Sequence, residues 1–164
     1  METDEKIVST GDFVFCDSGN SILRTFALGS CVACVIYDRE TRHGGMVHVA
    51  LPDSSVNKLK AKEHPGYFAD TGVAQLWKNF KESEEERDPD RIDVYIAGGA
   101  EMSKKSSFFN IGASNVNAVR KAVEKCDLCI TAQHTGNSLS RSLSINLETG
   151  ILTLFNPIYG SWTL

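Results

Sequence analysis

Apolar and polar positions change their spacing several times along the chain, and each change marks an element. Phe13-Val-Phe-Cys16 is a short strand candidate. Cys31-Val-Ala-Cys-Val-Ile-Tyr37 is apolar throughout and rich in β-branched residues, which predicts a strand covered on both faces. Asp38 to Gly45 is polar with paired glycines, a turn by composition, and Met46-Val-His-Val-Ala-Leu51 reads as the partner strand, stopped by Pro52. A turn centred near Thr41–Arg42 pairs the two as a hairpin, with Cys31 opposite Pro52. The large apolar residues Phe68, Val73, Leu76, Trp77 and Phe80 then form a helical stripe between Tyr67 and Lys81. Lys81 to Arg91 has no apolar member and reads as a solvated helix end and loop.

Period-two alternation returns in Ile92-Asp-Val-Tyr-Ile-Ala97 and ends in Gly98-Gly99. A second helix is predicted after Ser114 as its cap, with Val116, Val119 and Val123 on one face. The remainder reads as strands over 128–134, 142–147 and 151–155, the last two joined by Glu148-Thr-Gly150. The class is therefore α+β, with no linker that would divide residues 1–164 into two domains.

Composition adds bounds. The 41% apolar and 23% charged content of the 164 residues is that of a folded protein, long enough to bury its own core. A formal net charge of −4 argues against nucleic-acid binding, which needs clustered positive charge, and against attraction to an acidic membrane surface. No apolar run reaches the ~20 residues of a spanning helix, and the charged start Met1-Glu-Thr-Asp-Glu-Lys6 lacks a signal-like apolar stretch, so a cytoplasmic location is expected. Five cysteines cannot all pair internally, and free thiols are expected.

Candidate chemistry concentrates at Leu28-Gly29-Ser30-Cys31. A glycine and a small residue before a cysteine permit a sharp turn and leave amide N–H groups open to an oxyanion. On four residues alone, a buried strand cysteine explains the pattern as well. His48 sits in an otherwise apolar strand, where an imidazole must be hydrogen-bonded to be tolerated. A thiol and an imidazole on one hairpin suit nucleophilic catalysis, but the hairpin register above separates them by about 10–13 Å at strand rise. His43 and His64 are expected at the surface, and nothing specifies a site around His134. The pairs Cys31/Cys34 and Cys126/Cys129 raise a four-thiolate zinc site, opposed by their wide separation and by the opposite faces of residues i and i+3 on a strand. Ala97-Gly-Gly-Ala100 lacks the spacing of a dinucleotide loop and reads as a close turn.

Thr25-Phe-Ala-Leu-Gly-Ser-Cys31-Val, Gly44-Gly-Met-Val-His48 and Leu51-Pro-Asp-Ser54 together resemble the signature of the CheD family, the chemoreceptor glutamine deamidases. Tyr67 to Gly72, Ala97 to Met102, Asn110-Ile-Gly112, Asn115-Val116 and Glu148-Thr-Gly150 continue the likeness in the family's order over most of the chain. The resemblance implies two packed β layers with helices on one side, as in deamidating cysteine-hydrolase toxins. It implies a nucleophile at Cys31, its partner at His48 and a third site residue at Thr25, with backbone around Gly29 and Ser30 for the oxyanion. It also implies a thioester route from glutamine to glutamate with no cofactor, chemoreceptor cytoplasmic domains as substrate, and a CheC-type phosphatase as a partner. Two features depart from the pattern: the segment Thr135 to Arg141 is less glycine-rich, and Cys34 is additional. A non-catalytic adaptor of the same fold, binding the phosphatase or the receptor, is the alternative, and a zinc module a more remote one.

Overall fold

The computed structural model describes residues 3–83, 88–101 and 110–164. Residues 84–87 of the charged stretch and Met102 of the resemblance lie outside them. Two five-stranded sheets carry the fold. The first contains β1 (Asp4–Ile7), β3 (Ser21–Leu28), β8 (Arg141–Asn146), β9 (Leu152–Asn156) and β10 (Gly160–Thr163), in the order β1-β3-β8-β9-β10. The second contains β2 (Phe13–Cys16), β4 (Val32–Asp38), β5 (Gly44–Val49), β6 (Ile92–Gly98) and β7 (Ala132–Thr135), in the order β2-β5-β4-β6-β7. The helices are α1 (Lys58–Glu63), α2 (Ala69–Ser83) and α3 (Ile111–Lys125).

The second sheet is the middle layer, which is why β4 is buried at all seven positions. Its side chains sort by parity. Val32, Cys34 and Ile36 join Val47 and Val49 in a core shared with α2 and α3, whereas Ala33, Val35 and Tyr37 join Met46 in a core shared with Leu23, Leu143, Ile145 and Leu154 of the first sheet. Apolar residues at every position serve both cores at once. The α+β class and the placement of helices on one side agree with the expectation.

The β4–β5 hairpin differs from the expected register. Val32 faces Val49 and Ala33 faces His48, so the turn centres on Glu40–Thr41 and Cys31 precedes β4 by one residue. The Asp38 carboxylate makes this tighter turn by accepting from the Glu40 and Thr41 amides at 2.9 and 3.2 Å. Gly44 and Gly45 belong to the strand because neighbouring layers leave no room for a Cβ. One at Gly44 would lie 2.1 Å from Leu147 Cδ2, and one at Gly45 2.4 Å from Leu76 Cδ1.

Two further boundaries move. Helix α3 starts a turn before Ser114, capped by Asn110, whose side chain accepts from the Ala113 amide at 2.9 Å. Gly112 hides that turn from a propensity reading, yet only glycine fits there, since a Cβ would come within 2.5 Å of the Gly99 and Ala100 carbonyl oxygens. The strand expected over 128–134 forms only from Ala132, because Leu128 is buried against the helical core at the end of α3. β7 then runs parallel to β6, making β6–α3–β7 a crossover unit. Among the described residues no helix is long and apolar enough to cross a membrane.

Candidate active site

His48 points from β5 into the seam between the two sheets and is only 2% exposed. Its Nδ1 lies 2.7 Å from the hydroxyl of Thr25, a fully buried residue of β3 in the opposite sheet. That hydroxyl also donates to the Val8 carbonyl at 2.7 Å. A threonine has one hydroxyl hydrogen, and with it committed to Val8 the oxygen accepts from His48. Nδ1 therefore carries the ring proton and Nε2 keeps a lone pair, 3.4 Å from the Thr10 hydroxyl. Burial lowers the imidazole pKa from its ordinary value, opposed by the Val8 carbonyl and by the charge of Asp12.

Cys31 enters from the strand beside it. Ala33 lies directly opposite His48, so Cys31, two residues earlier, is the diagonal neighbour of His48 on the same face. Such neighbours are about 7–8 Å apart. Cys31 is half-buried and packs on the core between the sheets, and burial pushes its thiol pKa up. Burial thus favours the uncharged form of both groups, thiol and imidazole. Cys34 instead faces the helices, where burial pushes its pKa up to about 12. The two thiols of that pair thus open to different layers, and no cluster of three or more potential metal ligands occurs among the described residues.

The segment before Cys31 is held by its carbonyls. Gly29 O accepts from Ala100 N at 2.8 Å, Ser30 O from Asn115 Nδ2 at 2.9 Å and Cys31 O from Gly99 N at 2.8 Å. The Gly29 amide is used by Ala27 O at 2.9 Å, but among the described residues nothing accepts from the Ser30 or Cys31 amide. The Gly29 amide is thus occupied, whereas those of Ser30 and Cys31 are not bonded among the described residues. Just upstream, one extra residue between Thr25 and Leu28 makes a bulge, with Ala27 at φ 54°.

The structure thus joins Thr25 to His48 directly and sets Cys31, with Ser30 and Gly29 leading into it, on the same face. Of the other histidines, His64 is exposed, and His43 is half-buried with its ring edge-on to Phe15. His134 Nδ1 lies 2.8 Å from Nη1 of the buried Arg141, whose guanidinium also holds the Leu139 carbonyl and so pins the loop 136–140. A groove of about 730 Å³ between α2 and α3, lined by residues such as Asp70 and Lys121, does not include Cys31 or His48. Asn115 and Thr10 were not singled out from the sequence for this site. For Asn115 a signal existed, a polar residue on the same helical face as Val116 and Val119.

A family model described as CheD chemotactic sensory transduction matches residues 50–155, downstream of Thr25, Cys31 and His48. Longer matches span those positions. A probable chemoreceptor glutamine deamidase CheD of Syntrophotalea carbinolica is 35% identical over 96% of this chain and 98% of its own length. One from Syntrophus aciditrophicus is 39% identical over 88% of this chain and 89% of its own. The chemoreceptor glutamine deamidase CheD of Thermotoga maritima is 37% identical over 90% of this chain and 89% of its own.

Proposed function

Because the chain belongs to the CheD family, we propose that it is a chemotaxis enzyme, a chemoreceptor glutamine deamidase in which Cys31, His48 and Thr25 of a single domain over residues 1–164 do the chemistry. The observation that carries the residue assignment is the Val8–Thr25–His48 hydrogen-bond chain, which fixes the imidazole tautomer beside the diagonal thiol.

The steps follow from that tautomer. His48 Nε2 removes the Cys31 proton as sulfur bonds to the side-chain amide carbon of glutamine, and the Ser30 and Cys31 amides take the oxyanion. The new Nε2–H is given to the departing nitrogen, the C–N bond breaks, and ammonia leaves a thioester on Cys31. Nε2 then deprotonates a water that attacks the thioester carbon. Collapse breaks the C–S bond, yields glutamate and returns the proton to sulfur. Thr25 keeps Nδ1 protonated throughout, so the same nitrogen serves as base and acid in turn. Burial favours the uncharged thiol and the uncharged imidazole, and on this reading the proton moves during attack rather than before it.

This reading places the enzyme in the cytoplasm, beside the helical cytoplasmic domains of its receptor substrate, and extends to binding of a CheC-type phosphatase, which a pull-down with both purified proteins tests. The catalytic assignment is tested by ammonia release from a glutamine-bearing receptor fragment, with mass spectrometry of the modified glutamine. Cys31→Ala and His48→Ala are expected to abolish turnover while keeping a wild-type circular dichroism spectrum. Wild-type turnover by a folded variant removes that residue from the mechanism, and retained receptor binding without any turnover by the native enzyme would favour the adaptor reading.

A further inference from the structure

Asn115 lies in the first turns of α3, is fully buried, and its Nδ2 donates to two carbonyls from separate parts of the site. One is Ser30 O at 2.9 Å and the other Ala50 O at 3.0 Å. Ser30 precedes Cys31, and Ala50 follows His48 by two residues. Both amide hydrogens are thus committed, whereas Oδ1 is buried with no donor among the described residues. A buried acceptor left unpaired is costly, so what this side chain contributes is its pair of N–H groups.

The bond to Ser30 O has a consequence on the other side of the peptide plane. No cis peptide occurs among the described residues, and in a planar trans peptide the N–H points opposite to the C=O. Holding Ser30 O toward α3 aims the Cys31 N–H away from α3. Holding Gly29 O through the Ala100 amide does the same for the Ser30 N–H. The two amides without an acceptor are therefore oriented by bonds made to the carbonyls of their own peptide units.

We infer that Asn115 is a positioning residue that aims the Cys31 amide at the developing oxyanion and ties the nucleophile segment to the end of the strand bearing His48. The inference rests on the catalytic reading above and adds a division of labour. Asn115 serves the tetrahedral step, where charge appears on oxygen, and not the nucleophilicity of the thiol, which His48 controls.

Two reactions of the same sulfur separate these roles. Alkylation of Cys31 by iodoacetamide, followed by peptide mapping, reports the thiol and its base and forms no oxyanion. Deamidation, and binding of a peptide carrying an aldehyde in place of the glutamine carboxamide, both require one. Asn115→Leu removes the donors at similar volume, and Asn115→Ala provides a second variant. Each is assayed on protein with a native spectrum. The expected result is a fall in kcat of about 10²–10³-fold, a comparable loss of aldehyde affinity, KM little changed, and Cys31 alkylation within a few-fold of wild type. A kcat that falls no further than the alkylation rate, or a loss carried by KM alone, overturns the inference. Wild-type enzyme alkylated at Cys31 supplies the control. If it still deamidates glutamine, the nucleophile assignment fails and this inference with it. If it is dead while Asn115→Leu turns over normally, only the inference fails.

Discussion

In the proposed mechanism, a single hydrogen on the Thr25 hydroxyl decides which nitrogen of His48 is the base. Thr25→Val leaves the buried Nδ1–H without its acceptor and frees the ring to adopt the other tautomer, while Thr25→Ser keeps the oxygen. Steady-state kinetics should show a loss of about 10²-fold or more in kcat for the valine variant and near-complete retention for the serine variant. Equal losses in both would make the threonine a packing residue. The proposed mechanism assigns the acid limb of the kcat/KM profile to His48, which must be neutral to act as base. Burial lowers its pKa from 6.5, so activity should persist as pH falls past 6.5 before it declines. Stability has the same origin. Below 6.5 the unfolded chain takes up a proton that the folded chain refuses, so this contribution to stability is present above that value and is lost as pH falls toward the lowered pKa. An acid limb above 6.5 in a pH–rate titration contradicts the assignment. At this scale the sequence marked Cys31 and His48 by residue type and setting. Thr25 was reached only through family likeness, because its role depends on two sheets meeting, which local spacing does not encode.

The elements around the site place it through close backbone approach. The β6 strand ends at Gly98 with φ 114°, Gly99 follows at φ 66°, and a Cβ on Gly98 would lie 2.2 Å from the Cys31 carbonyl oxygen. Gly98→Ala must therefore displace the nucleophile segment or strain the turn. Since misplacement by about 1 Å can cost 10²-fold in rate, deamidation should fall by about that factor while the variant still gives a cooperative thermal transition. Unchanged kcat would show that the segment is not held to such tolerance. The same contacts explain which elements were legible. The all-apolar β4 and the Val116/Val119/Val123 stripe of α3 announced themselves, while Gly98-Gly99, read as a close turn, is a positive-φ strand end in close approach to the Cys31 backbone. The first turn of α3 was hidden by Gly112, whose requirement is tertiary. Strand β3 was passed over although Ser21, Leu23 and Thr25 alternate inward, and the polar helix α1 has no buried residue to mark it. The hairpin register was displaced by two residues because Gly44-Gly45 suggested a turn, whereas they are strand residues under Leu147 and Leu76.

In the whole molecule, the middle sheet separates an apolar core under the helices from a second core between the sheets. The catalytic groups proposed here sit at the second of these, where Thr25 of one sheet meets His48 of the other. Helix α3 reaches the same place from the opposite layer through Asn115, so all three layers converge on the segment around Cys31. Cys31, one residue before β4, packs on the core between the sheets, whereas Cys34 faces the helices. The proposed mechanism depends on a covalent bond between Cys31 and the substrate. Acid quenching during turnover of a receptor peptide, followed by intact-protein and peptide mass spectrometry, measures that bond directly. The predicted result is an adduct on Cys31 equal to the peptide less ammonia, absent in Cys31→Ala and cleared by water in the native enzyme. Rapid deamidation with no adduct on Cys31 under single-turnover conditions, or an adduct on another residue, would contradict it.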